Sequence, residues 1–354
     1  MSGSRYQAHP SDGKEILRVL ESSAAKGSIE LIYTRRPNAY DSYIKDAKEA
    51  HVFVSRNEER IIGTCAELVR EVYIGGEICR AAYICGLKKD AEHSGSIGFG
   101  HGIIRELQHD DVDFYFCSVV ADNADARRMF EKSRCVLEMK QIAGYKTYIL
   151  NPKVKIKSPK HTLVFRRATV EDEEKVVHFL NTEGKKRDMF PVVKTLNEFC
   201  NLNIEDFYVL MDGEEIVATA ALWNQTEYKQ YVVKRYGRWM KLARVCNPLL
   251  SAFQYIQLPK ENEPLHFPML SFFLSKNDSE DNYRIFLSEI KREIAKEYGM
   301  FVVGLSEGHF AAAIMDRLPS INFETKLYEV TFPWSNQIYK TPNPQTAFFE
   351  CGLL

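Results

Sequence analysis

Nowhere in its 354 residues does the chain carry the ~18 consecutive apolar residues that a membrane helix needs, so no membrane partner is expected. Its first twenty residues, MSGSRYQAHPSDGKEILRVL, lack the basic-then-apolar order of a secretory signal. Charge of one sign is lacking too. Lys+Arg is 47 against Asp+Glu 48, a balance that excludes a dedicated nucleic-acid binder, which needs a large basic excess. The eight cysteines (Cys65, Cys79, Cys85, Cys117, Cys135, Cys200, Cys246 and Cys351) form no Cys-x-x-Cys pair and no Cys/His group at zinc spacing. No metal is therefore expected, and scattered thiols of this kind fit a reducing, cytoplasmic setting. What is present is an ordinary globular mixture, 45% hydrophobic and 27% charged, which rules out a disordered or fibrous chain. A length of roughly 150 residues per domain predicts two domains.

The boundary falls at NPKVKIKSPKH, residues 151–161, where two prolines and four lysines separate two apolar strand-like runs. The lysines read as a solvated linker, because nothing extends the basic stripe. The first half, 1–150, opens with a helical region. HVFVSR and RIIGTCAELVREVYI follow as strands, Gly75-Gly76 as a hairpin turn, and EICRAAYICGLKK as the return strand. A glycine-rich loop precedes the helix GIIREL. DFYFCSVV is a buried strand, and NADARRMFEKSR has helical spacing. VLEMKQIAGYKTYIL is expected to be a strand pair turning at Gly144. The second half, 162–354, repeats this grammar. It has a strand and helix in TLVFRRATVEDEEKVVHFL, a hairpin at Asp212-Gly213, and a strand in PMLSFFLSKND. An amphipathic helix follows over 282–299 with Phe286, Ile290 and Ile294 on one face, then the strand FVVGLSE and the closing segment NFETKLYEVTF.

The sharpest motif is Gly95-Ser96-Ile97-Gly98-Phe99-Gly100-His101-Gly102, between a strand and a helix. Unpaired N–H groups at a helix start bind phosphate, and glycines let the backbone come close to it. A dinucleotide fingerprint would follow the first strand of a βαβ unit and place an acidic residue ~20 positions later. Here the loop follows the second arm of a meander and that region is apolar, around Phe116 and Val119.

The run Tyr83-Ile84-Cys85-Gly86-Leu87-Lys88-Lys89, the glycine loop and Ile103-Ile104-Arg105-Glu106-Leu107 resemble motif A of the GNAT acyl-CoA-dependent N-acyltransferases. Gly98 and Gly100 match that family's loop glycines, while Gly95 stands where Gln or Arg is usual. Asn123, Ala126 and Phe130-Glu131-Lys132 resemble its Asn-x-x-Ala and Tyr-Glu-Lys. The second half looks like a second unit of this type without the loop, since SEDN follows its central strand. The resemblance implies an α/β (α+β) fold of two tandem GNAT-like domains, 1–150 and 162–354, each a mixed, mostly antiparallel twisted sheet flanked by helices. It implies that acetyl-CoA binds the first half. Pantetheine would lie as a pseudo-strand against Leu87 and Lys89, with Lys88 and Lys89 near the phosphates. The pyrophosphate would lie on Gly95, Ser96, Gly98, Phe99, Gly100, His101 and Gly102, and Asn123 and the helix carrying Phe130 would flank the acyl arm.

Amine acylation needs a neutral amine, then a proton for the thiolate. Phe130 stands where relatives commonly have Tyr, and Phe cannot donate. Tyr83, with Cys85, is the substitute acid, and Glu67 and His93, with Glu92, are the candidate bases. Glu67 lies in the apolar alternation CAELV, and a carboxylate facing an acceptor groove there would have a raised pKa. Trp223, Tyr228, Tyr231, Tyr236 and Trp239 are the aromatic candidates for the acceptor wall. The apolar tail TAFFECGLL is expected to dock between the halves, with the end group at Leu354 a minor candidate for chemistry. The reading is an N-acyltransferase acting on a small amine or peptide amine, with a homodimer left open. The alternatives are a CoA-binding regulatory protein without turnover and a transferase of aminoacyl or longer acyl groups.

Overall fold

Gly75 and Gly76 adopt φ of +61° and +76°, conformations that suit glycine, and join β3 (Arg60–Ile74) to β4 (Glu77–Lys89). In this computed structural model the described residues are 6–24, 29–93, 101–121, 123, 137–247, 253–254, 256–335 and 340–354. β2 (Glu49–Asn57) pairs antiparallel with β3, and β5 (Phe114–Val120) lies parallel to β4. The period-2 alternation of these strands divides their side chains between two cores. Helices α1 (Gly13–Glu21) and α2 (Ala39–Asp46) cover Ala66, Leu68 and Tyr83 on one face. The short helix α3 (His101–Glu106) covers Cys65, Val69, Ala82 and Ile84 on the other.

The second half repeats the pattern. β7 (Val164–Arg167), β8 (Phe207–Asp212) and β9 (Glu215–Trp223) form a meander, with Gly213 at φ +57° in the β8–β9 turn. β11 (Met269–Ser275) pairs antiparallel with β9 and parallel with β12 (Phe301–Ser306). The connecting helix Glu280–Glu297 buries Phe286, Ile290 and Ile294 and is capped by Ser279, whose hydroxyl accepts from Asn282 N. β1 (Ile29–Thr34) and β10 (Gln230–Tyr236) form a separate antiparallel pair joining the two halves.

The halves do not close on themselves. β6 (Glu138–Leu150) leaves the first half and pairs along its end with β12. β13 (Ser320–Thr331) leaves the second and pairs with β5, while β6 and β13 pair with each other. The result is one eleven-stranded sheet, ordered β2-β3-β4-β5-β13-β6-β12-β11-β9-β8-β7 among the described residues. The expected turn at Gly144 is absent, because β6 runs straight through it. A Cβ there would lie 2.4 Å from Glu307 Oε2, so the glycine serves a close approach across strands.

The tail completes the second half. β11 and β12 share a single paired position, Met269 with Val302, and then diverge. The short turn Cys351–Leu353 packs against both strands at that divergence. Phe272 N donates to Glu350 Oε2 at 2.6 Å, and Phe349 N donates to Ser306 Oγ at 3.1 Å. The Gly352 carbonyl accepts from Gln225 Nε2 and Lys229 Nζ at 2.7 and 3.0 Å.

Candidate functional site

β4 and β5 pair in parallel only from Ala81–Phe114 to Ile84–Cys117. Beyond that the strands separate, and β4 carries a bulge, because Ala66 faces Cys85 whereas Thr64 faces Lys88. Gly86 sits in the bulge at φ +60°, and a Cβ there would lie 2.0 Å from Tyr43 Oη. Only glycine meets both demands. The gap opens into a cavity of about 260 Å³ lined by Gly86, Leu87 and Lys88 on one side and Ser118, Val119, Val120 and Asn123 on the other, with Ile104 and Leu107 of the α3 region.

A second cavity of about 320 Å³ adjoins it, and the two share Tyr33, Cys85, Gly86, Ser118 and Val120. Tyr33 and Tyr231, from the β1–β10 pair, stand with ring centres 5.3 Å apart. The exchanged strands contribute Tyr145, Thr147, Phe323 and Thr325, and the tail contributes Cys351 and Leu354. At the junction Tyr83 Oη and Ser118 Oγ are 2.5 Å apart, and the Tyr83 ring stacks on Phe116. Burial pushes the Tyr83 phenol well above its usual value and the Cys85 thiol up to about 11, so both are protonated at neutral pH. Arg35 also lines this cavity. It is buried, bonds Asp46 Oδ2 at 2.8 Å and lies over the Tyr43 ring. Lys229 Nζ is 2.9 Å from Asp46 Oδ1, and Arg70 bonds the Asp46 carbonyl. Two cations thus sit on one buried carboxylate behind the wall, and a third holds its main chain.

Two solved structures share this architecture. A GCN5-related N-acetyltransferase from Anabaena variabilis matches with TM-score 0.51 at 10% identity, over 92% of this chain and 72% of that one. Saccharomyces cerevisiae N-myristoyltransferase, solved with myristoyl-CoA bound, matches with TM-score 0.54 at 7% identity, over 95% and 83%. The chain has a GNAT-type fold. No family model and no curated protein matches the sequence. Among the described residues a parallel strand pair that soon diverges occurs twice along the one sheet, as β4–β5 and as β11–β12.

The residues singled out in the sequence separate on this fold. Leu87, Lys88, Asn123 and Tyr83 lie at the two cavities. The Lys88 ammonium is spoken for, since it donates to the Leu20 and Ser23 carbonyls at the end of α1, and burial lowers its pKa to about 8. Lys89 pairs with Gly63 and lines neither cavity. Gly102 faces the Tyr6 ring, where a Cβ would lie 2.0 Å from Cζ. His101 begins α3. Gly95, Ser96, Gly98, Phe99, Gly100 and Phe130 lie outside the described residues. His93 Nδ1 is 3.5 Å from Asp90 Oδ2, away from both cavities.

Glu67 faces α3 rather than the acceptor side and is hydrogen-bonded to His109 Nε2 at 2.9 Å. Burial raises its pKa, and that same bond raises that of His109. Of the aromatic stretch, Tyr231 lines the second cavity. Trp223, Tyr228 and Tyr236 are core, and Trp239 is 82% exposed. Sequence reasoning missed Ser118 and Arg35. Ser118 had a signal, as the lone hydroxyl amid the apolar residues Phe116, Cys117, Val119 and Val120. Arg35, just after a strand, had none.

Proposed function

We propose that the chain is an N-acyltransferase that takes an acyl group, acetyl in the simplest case, from a CoA thioester and delivers it to an amine. The observation carrying this is the paired cavity at the β4–β5 separation, one chamber for the donor arm and one for the acceptor, meeting at Gly86 and Ser118. Strands that stop pairing leave backbone groups to bond an extended arm as an added strand would. A main-chain N–H of the Gly86–Leu87 bulge would, in this reading, polarise the thioester carbonyl. The acceptor need not find a strong base. Apolar walls and the neighbouring Arg35 charge both disfavour an ammonium, so the amine enters neutral. It attacks the carbonyl carbon, the C–S bond breaks, and the thiolate takes up the proton lost by the nitrogen. The Tyr83–Ser118 hydroxyl pair lies where that proton can be relayed.

In this reading residues 1–150 hold the donor and 162–354 supply much of the acceptor wall. The acceptor is a small amine or a peptide amine, and the site of action is the cytoplasm. Seven described cysteines are free, which suits a reducing compartment, and among the described residues no helix is long and apolar enough to cross a membrane.

Calorimetry with CoA and acetyl-CoA, followed by amine-dependent release of CoA over a panel of amines, tests the assignment. Wild type should bind both nucleotides, and Ser118→Trp, which fills the junction, should lose turnover by at least about 100-fold. Absence of any CoA binding would overturn the reading. Binding without release of CoA to any amine would move it to a regulatory CoA-binding protein.

A further inference from the structure

We propose that His51, Glu67 and His109 form a site for one divalent transition-metal ion of the zinc class, held by two imidazoles and a carboxylate. The ligand atoms of the three residues all lie within 4.8 Å of one another. They come from three separate stretches of chain, which is why no local spacing in the sequence betrays them. His51 on β2 and Glu67 on β3 are directly paired across the strands. His109 follows α3, and its main chain is clamped on both sides by Tyr115. The His109 N–H donates to Tyr115 Oη at 2.6 Å, and that hydroxyl donates to the His109 carbonyl at 3.1 Å. The two imidazole rings lie 5.0 Å apart.

The observation that asks for a ligand is on Glu67. The residue is fully buried, one carboxylate oxygen is bonded to His109, and the other, Oε1, has no hydrogen-bond partner. A buried carboxylate oxygen left unpaired costs free energy, and a cation between it and the two imidazoles removes that cost. The donor set chooses the ion. Calcium and magnesium take oxygen ligands, whereas imidazoles with a carboxylate suit zinc and its neighbours. Three protein ligands leave a coordination position for water. The side chains of His51 and His109 are about one-third exposed, so the ion has an entry path.

Outer groups are arranged to match. Glu49 Oε1 stands 3.5 Å from His51 Nε2, and Arg80 holds both Glu49 oxygens and Asp111. Cys65 and Leu107, each two residues from a ligand, line the first cavity. Metal binding would therefore lock β2, β3 and the α3–β5 connection into one wall. The inference stands apart from the acyl-transfer reading and does not depend on it.

The test uses the full chain, stripped with a chelator and then titrated with zinc against a chromophoric competitor. One equivalent should bind, and His109→Ala and Glu67→Gln should each weaken it by more than about 10-fold, a loss that outer-shell changes alone can bring. Cobalt should give the visible bands of a low-coordinate nitrogen–oxygen site in the unmutated protein, a readout that needs no variant. His51→Ala, at a partly exposed strand position, keeps the comparison open if Glu67→Gln does not fold. No bound equivalent in wild type, or unchanged affinity in the variants that fold, would overturn the site.

Discussion

Gly86 meets two demands at once. Its φ of +60° costs another residue roughly 1–2 kcal/mol, and its missing Cβ makes room for the Tyr43 hydroxyl. Gly86→Ala is expected to destabilise the fold by about 2–4 kcal/mol, since overpacking adds its own cost. Adding Tyr43→Phe should recover part of that loss. Urea denaturation of the single and double variants checks this, and equal midpoints for both would remove the steric account. Glu67 shows what a residue-level reading of sequence cannot reach. The alternation of CAELV places Glu67 with Cys65 and Val69 on one face, and that much is legible. Which face turns to α3 and which to α1 and α2 is decided by how distant elements pack, and no period in the strand records it.

At the scale of elements, the tail and the helix at 280 make separate predictions. Burial pushes the Glu350 carboxyl up to about 7 from an ordinary 4.5, although N–H groups of Phe272 and Gly352 pull it down. The folded chain therefore holds this proton more tightly than the unfolded one. Its stabilising contribution is complete below pH ~4.5 and is lost as pH rises through ~7, a change of roughly 3 kcal/mol at about 1.4 kcal/mol per unit. Glu350→Gln should flatten the stability difference between pH 5 and pH 8. An unchanged slope would clear Glu350 of the effect.

Ser279→Ala, which removes the cap of the helix Glu280–Glu297, should cost about 1 kcal/mol in thermal denaturation and leave CoA affinity untouched. Loss of CoA binding there would place the donor in the second half. The elements themselves were largely readable, because hairpin glycines and helical periods are local. β6 was not. A glycine inside an apolar run reads as a turn, and only the approach of Glu307 shows why it lies mid-strand.

Over the whole molecule, the two halves are related by more than likeness. Each has a parallel pair that diverges beside a left-handed residue in the strand, Gly86 at +60° in β4 and Phe272 at +53° in β11. In the first half the divergence is open as a cavity, whereas in the second the chain's own residues 348–354 lie in it. The repeat was legible from the order of hairpins and helices, but the exchange of β6 and β13 was not, since pairing partners more than 150 residues apart leave no local mark. Fragments 1–157 and 158–354, expressed separately, should each be insoluble or unfolded by circular dichroism, and co-expression should restore a folded complex. A monomeric, folded 1–157 fragment would contradict this.

The exchange also sets the order in which the protein can be finished. While the ribosome is still working through the middle of the message, β5 has no neighbour on its outer side, and β6 awaits both of its partners. A nascent chain stalled before residue 320 thus presents raw strand edges to its surroundings, and it is at that stage, not after release, that holding chaperones have the most to protect.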